Sequence, residues 1–242
     1  MNTLKIDFHI HTGEDPKDRY IRYSAKQLIK KAAVYQFDAI AITNHEVVTY
    51  TDELREYAER RGILLIPGVE MRVEGKHVLI VNYRKSYPKN LKLKDLRACV
   101  GEDALIIAPH PFYPRHHCLQ ETLEEHIALF DAIEYSHFYF WFLNPNKKAV
   151  AMAQKYNLPL VGTSDAHSFQ QLNKTYSLVE TRRTIPSIIE AVRAQRLRVI
   201  SRPLSSWMFL SNGSLYLSSF FRKRIRKLIF RSSSLADNDF QE

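Results

Sequence analysis

The sequence predicts an α/β barrel around a mainly parallel sheet, and three observations carry that expectation. Short apolar strands alternate with amphipathic helices through about seven units, the pattern of strands buried on both faces. A chain of 242 residues, 45% of them hydrophobic, is long enough to close such a core as one domain. Histidines and carboxylates follow one strand after another, at the end where parallel α/β folds gather their sites.

The elements follow in order. Leu4–Phe8 is an apolar strand, and Ser24 caps a helix to about Gln36 with Leu28, Ile29, Ala32 and Ala33 on one side. Asp38–Ile42 is the next strand, followed by a helix over Tyr50–Arg61 that stops at Gly62. Ile63–Ile66 is a third strand, with Pro67-Gly68 turning the chain toward Val69-Glu70. Glu74-Gly75-Lys76 makes a tight turn before the strand His77–Asn82. Helices are expected over Lys92–Val100, Glu121–Leu129 and Pro145–Tyr156, interleaved with strands Ala104–Ala108, Asp131–Tyr135 and Leu160–Thr163. Thr175–Val179, the helix Ile185–Gln195 and the strand Arg198–Ile200 complete the body.

Composition removes several classes. The N-terminal residues MNTLKIDFHIHT hold no apolar run ahead of a cleavage site, so no signal peptide is expected. No stretch approaches the roughly 18 uninterrupted apolar residues of a membrane span. Cys99 and Cys118 form no paired motif, which excludes a disulfide framework or thiolate zinc site and makes a reducing cytoplasm the expected compartment. The net charge of +9 favours phosphorylated or nucleic-acid substrates without separating the two.

The chemistry lies in the placement of particular residues. His9 and His11 are spaced i, i+2 at a strand end, which puts both imidazoles on one face. His45 follows the second strand, Glu70 the third, and His110 the Ala104–Ala108 strand. Asp165 and His167 repeat the i, i+2 spacing after Leu160–Thr163. Mixed nitrogen and oxygen donors suit zinc, manganese or iron, and Glu70 has two oxygens with which to bridge cations. Such a centre suits phosphoester hydrolysis, because cations lower the pKa of water and polarise phosphoryl oxygens. No base–carboxylate relay accompanies Ser164, which argues against a serine hydrolase.

The segments Asp7-Phe8-His9-Ile10-His11-Thr12, Ile42-Thr43-Asn44-His45, Pro67-Gly68-Val69-Glu70, Ala108-Pro109-His110-Pro111 and Gly162-Thr163-Ser164-Asp165-Ala166-His167 resemble, in order, the motifs of the PHP (polymerase and histidinol phosphatase) superfamily. The likeness spans about residues 4–203. It implies a distorted (β/α)7 TIM-like barrel, a stand-alone phosphoesterase, and two or three divalent ions, usually manganese, zinc or iron. Carried onto this chain, it implies that His9, His11, Glu70 and Asp165 hold a first ion and that Glu70 bridges to a second, completed by His77 and His110. His45 and His167 would hold a third, with Asp15 as carboxylate and Glu14 and Asp18 behind it. The other reading of His77 is an exposed histidine at a strand start, and that of Glu14-Asp15 is a solvated acidic loop. Asn44 stands where the family often has Asp. The implied catalytic set is His9, His11, Glu70, Asp165 and His167.

Arginines near strand ends are candidates for phosphate through their fork of donors, with Arg115 and Arg202 ahead of Arg19 and Arg22. His116 and His117 are cleft groups or a solvated loop; Glu134 supports the site or faces the core; His137 opens the aromatic run Phe138–Phe142, a base-stacking platform or packing. The barrel is placed at residues 1–204, a basic amphipathic extension at 205–231 that meets a membrane surface, a partner, nucleic acid or the barrel itself, and a disordered tail at 232–242. The expected substrate is a small phosphomonoester or nucleotide. The alternatives are a nucleic-acid exonuclease or phosphodiesterase, or a regulatory barrel with a structural metal. A carbon–nitrogen hydrolase of amidohydrolase type would want a bridging lysine, and none stands beside His110.

Overall fold

The computed structural model describes residues 2–141 and 143–204. Nine strands form one sheet: β1 (Asn2–Ile10), β2 (Ala39–Ile42), β3 (Leu64–Val73), β4 (Lys76–Val81), β5 (Leu105–Ala108), β6 (Ala132–Ser136), β7 (Leu160–Thr163), β8 (Thr175–Thr181) and β9 (Leu197–Ser201). Their order is β7-β6-β5-β4-β3-β2-β1-β8-β9. The pairs β1–β2, β2–β3, β5–β6 and β6–β7 are parallel. β4 runs antiparallel between β3 and β5, and β8 antiparallel between β1 and β9. The sheet curls until the end of β1 reaches the end of β7, where the His11 N–H donates to the Ala166 carbonyl at 3.1 Å. The result is a nearly closed, distorted barrel, as the sequence predicts.

Alternation fills the interior. Ile6, Phe8, Ala39, Ala41, Ile66, Leu79, Leu105, Ile107, Ala132 and Val161 share one cluster. Helix α6 (Ile185–Arg193) adds Ile188, Ala191 and Val192 to it. Because β8 ends opposite Asn2, α6 lies at the N-terminal end of the barrel and leaves the C-terminal ends of the parallel strands open. Helix α1 (Ala25–Val34) begins at a capping box: Ser24 Oγ accepts from the Gln27 N–H at 3.3 Å, and Gln27 Oε1 accepts from the Ser24 N–H at 2.9 Å. It covers β1–β3 with Leu28, Ile29 and Ala32. Helices α2 (Asp52–Glu59), α3 (Leu96–Val100), α4 (Thr122–Glu125) and α5 (Asn146–Tyr156) complete the outer layer. α3 and α4 are shorter than their patterns suggest, and 3₁₀ turns at Leu93–Asp95 and Ile127–Leu129 make up the difference.

β3 departs further from expectation. Pro67-Gly68 does not turn the chain; β3 runs straight through it and changes partner there. Pro67 pairs with Ile42 of β2 and Gly68 with Val81 of β4. A Cβ at Gly68 would sit 2.8 Å from Thr43 Cγ2 and 3.0 Å from the Ile80 carbonyl oxygen, so glycine answers crowding between strands. This long strand carries Glu70 to the open end of the barrel.

Residues 205–231 and 232–242 lie outside the described residues, as does Phe142. No helix among the described residues is long and apolar enough to cross a membrane.

Candidate metal centre

The open end of the barrel concentrates the ligand-type residues. His9 and His11 arrive from β1, whose register against β2 shifts between Asp7 and Ile10. Both are fully buried. His9 Nε2 stands 3.0 Å from His11 Nε2, 3.5 Å from Glu70 Oε2 and 3.4 Å from Asp165 Oδ1. His11 Nε2 stands 3.4 Å from each of those carboxylate oxygens. Donors held about 2.0–2.1 Å from one ion in a tetrahedron are roughly 3.3–3.4 Å apart. The contacts of His9 and His11 therefore have the spacing of donors around a first-row divalent cation; His9, His11 and Glu70 form one group of ligand-type side chains, and His11, Asp165 and His167 another.

The other oxygen of Glu70 faces a second pair. Oε1 lies 2.8 Å from His77 Nδ1 and 3.1 Å from His110 Nε2. His77 returns to the site by the antiparallel register: Glu70 opposes Leu79, and His77 is two residues away on the same face. The loop after β5 steadies this corner. Its His117 carbonyl accepts the His77 N–H at 2.8 Å, and Lys76 Nζ donates to the His116 and Cys118 carbonyls at 3.1 and 2.9 Å. The His117 ring stacks on His77 with centroids 4.2 Å apart.

A third group is more exposed. His45 Nε2 is 3.0 Å from Glu70 Oε2. His45 Nδ1 is 2.9 Å from Asp15 Oδ2 and 3.3 Å from Asp18 Oδ2. Asp18 Oδ2 is also 2.9 Å from His167 Nε2, so this carboxylate touches both His45 and His167. Asp15 reaches His11 Nδ1 at 2.9 Å and the His45 N–H at 2.7 Å. Glu14 turns away and accepts the Ala25 N–H at the start of α1.

Electrostatics follow from this packing. Burial opposes charge on each group, and opposite charges outweigh it. Asp165, Glu134 and Glu70 raise His9 well above its ordinary value. Asp15, Asp18 and Glu70 raise His45 to about 12. His110 is raised by its contact with Cys118 and then by Glu70 and Asp165, and His167 by Asp18 and Asp165. Against the same burial, Glu70 is held well down by His77, His9 and His110, and Asp165 by His9, His11 and His167. A divalent cation supplies the same positive charge without those protons, which is the chemistry this donor set fits.

Several neighbours were less legible in the sequence. Asn44 Oδ1 accepts the Thr12 N–H at 2.8 Å while its Nδ2 donates to Thr12 Oγ1 and Thr49 Oγ1. An aspartate could not donate both bonds, so Asn44 clips the loops after β1 and β2 together. Cys118 Sγ lies 3.4 Å from His110 Nδ1, a contact across a loop that no spacing rule announces. Asp7 Oδ1 accepts the His9 and Ser164 N–H groups at 3.2 and 3.1 Å and ties β1 to the end of β7.

The remaining candidates are more peripheral. Arg115 is exposed, and its charge contributes to lowering His117, whose pKa burial, His77 and His110 push down to about 3. Arg202 is exposed just past β9, at the site end of the sheet, and its N–H donates to the Lys174 carbonyl. His116 is exposed. His137 is buried, and burial lowers it to about 4. Tyr139 and Phe140 are buried and Trp141 is 83% exposed, so the run is not one continuous open platform.

Comparison with known proteins agrees with the fold. An uncharacterized protein of Methanocaldococcus jannaschii is 26% identical over 183 residues, 72% of this chain and 69% of that protein. Among solved structures, PsfC from Pseudomonas syringae shares the fold with a TM-score of 0.61 and 21% identity, over 91% of this chain and 100% of that one. A protein from Bifidobacterium adolescentis assigned as a metal-dependent phosphoesterase gives 0.54 and 17%, over 67% and 87%. An amidohydrolase from Chromobacterium violaceum gives 0.57 and 15%, over 80% and 97%. The PHP domain family matches residues 7–141, and the PHP-associated family matches residues 144–197. The chain belongs to the PHP family and is a metal-dependent hydrolase.

Proposed function

We propose that this hydrolase cleaves a phosphoester, with a small phosphomonoester or nucleotide as substrate. The observation that carries the reading is Glu70, whose two oxygens divide five histidines into adjoining donor groups. Adjoining cations suit a phosphoryl group, which needs its oxygens polarised and its leaving oxygen stabilised together. When bound, divalent ions such as manganese, zinc or iron supply an activated water and that polarisation.

The protein's own residues supply the rest. His9, His11, Glu70 and Asp165 hold the first position; Glu70, His77 and His110 the second. His45 and His167 serve a third, with Asp18 as the carboxylate that reaches both and Asp15 orienting His11 and His45. Asp165, His167 and His45 keep part of their surface open, whereas His9 and His11 do not, so substrate enters from the side of the former three. Arg115, in the loop whose His117 stacks on His77, and Arg202, just past β9, are the candidates for the remaining phosphate oxygens or the ester group.

The test is phosphate release by metal-stripped and reconstituted protein from a panel of aryl phosphates, nucleotides and diesters. Reconstitution is expected to restore hydrolysis of monoesters ahead of diesters. His9→Ala and Asp165→Ala are expected to lose both metal and turnover. Arg115→Ala or Arg202→Ala is expected to raise KM about tenfold or more with metal content intact. Metal-loaded protein that cleaves none of the panel defeats the proposal. Oligonucleotide binding that falls steeply with salt would instead favour a nucleic-acid substrate.

A further inference from the structure

We propose that Glu134 is the positioning residue of this centre: from the middle of β6 it fixes the ring of His9 and holds the backbones that present His110 and Asp165. The proposal rests on the reading of His9, His11, Glu70 and Asp165 as a cation site.

Glu134 is fully buried. A carboxylate there is costly unless its oxygens are satisfied. Its partners come from three other strands. His9 Nδ1 of β1 donates to Oε1 at 2.7 Å, and the Thr163 hydroxyl at the end of β7 donates to the same oxygen. The His110 backbone N–H, just past β5, donates to Oε2. One side chain therefore ties β6 to β1, to β7 and to the chain just past β5.

Each contact has a consequence for the ligands. With Nδ1 donating to Glu134, His9 faces His11, Glu70 and Asp165 with Nε2, the nitrogen left to lose its proton to a cation. A ligating histidine that gives its other N–H to a carboxylate is fixed in tautomer and made a stronger donor. His110 and Asp165 both have left-handed backbones, with φ of 30° and 43°. Non-glycine residues adopt that region at a cost and need surrounding structure to hold them there. Glu134 anchors the first through its own N–H and the second through Thr163, two residues before it.

Glu134 also groups with His9 and His110 as a set of ligand-type side chains. That grouping does not make it a ligand. His9 has already committed Nε2 to the other side of its ring, and His110 meets Glu134 through its main chain while its Nε2 faces Glu70. Neither close relative of the residue can replace it: glutamine has one accepting oxygen for donors that arrive at two, and aspartate is one methylene short.

The experiment uses the full chain, stripped with chelator, as wild type, Glu134→Gln and Thr163→Val. Mn²⁺ and Zn²⁺ affinities are measured by chelator competition, and Co²⁺ loading by its d–d absorption. Glu134→Gln is expected to weaken the tightest ion about 10–100-fold and to shift the Co²⁺ spectrum. Thr163→Val, which removes one donor and leaves the carboxylate, is expected to weaken it by a smaller factor, several-fold. A residue with a merely structural role would lower the melting temperature of stripped and loaded protein alike, with affinity and spectrum unchanged, and that result overturns the proposal. If Glu134→Gln does not fold, Thr163→Val decides: several-fold weaker binding supports the proposal, and unchanged affinity overturns it. Wild-type protein that binds no ion overturns both this inference and the reading beneath it.

Discussion

Glu70 meets His9, His11 and His45 through one oxygen and His77 and His110 through the other. Only a carboxylate could do this, because it alone offers two equivalent accepting oxygens on one short stem. Glu70→Gln replaces one of them by an amide that donates. The expected outcome is loss of more than one equivalent of bound metal and a fall in turnover of about 100-fold or more, read by elemental analysis and phosphate release. Most of this cluster was legible in the sequence, since His9, His11, His45, Glu70, His110, Asp165 and His167 each come at or after the end of a strand as its apolar run reads. Asp18 was harder to place. Three acids crowd residues 14–18, and spacing alone does not say which of them reaches His45 and His167. Cys118 was hidden because its contact with His110 depends on the path of a loop, which periodicity does not describe.

At the scale of elements, strand ends do the positioning and glycines allow the strands to close. Gly162 of β7 lies against β8 and β9: a Cβ there would come within 2.6 Å of the Tyr176 carbonyl oxygen and 2.8 Å of a Val199 methyl. Ser177 Oγ accepts the Gly162 N–H at 2.9 Å and donates to its carbonyl at 3.1 Å, which seals the seam. Gly162→Ala is therefore expected to destabilise the fold by about 1–3 kcal/mol, measured by urea unfolding, as the seam opens beneath Asp165. The strands were readable because apolar alternation is a local signal. The course of β3 through Pro67-Gly68 was not, because a proline-glycine pair ordinarily marks a turn and only the neighbouring strands reveal the change of partner. The short α3 and α4 misled for a related reason: their apolar spacing suits one longer helix as well as a 3₁₀ turn joined to a short one.

For the whole molecule, proton and metal binding compete. His9, His45, His110 and His167 are raised in the metal-free fold, so their charged forms stabilise it. That contribution is complete below the ordinary histidine range near 6.5 and is lost as pH climbs, for His45 toward about 12. Glu70, Asp165, Asp15 and Asp18 are lowered, so their contribution is present above the ordinary carboxylate range and is lost in acid. Metal-free protein is thus expected to melt at falling temperature as pH rises from 6 to 9. The increment in melting temperature on adding Mn²⁺ should grow over the same interval, because each histidine must give up a proton to bind. Melting with chelator and with metal across that range reads both trends; an increment that shrinks with pH would mean the histidines are not the ligands.

A multinuclear centre around Glu70 that receives a phosphoryl group would be seen in anomalous diffraction from crystals loaded with Mn²⁺ and phosphate. At least two anomalous peaks sharing Glu70 are expected, one enclosed by His9, His11 and Asp165, with phosphate lying across them on the open side toward His45 and His167. A map with no anomalous peak in contact with Glu70, or with a single ion bound elsewhere, would contradict it.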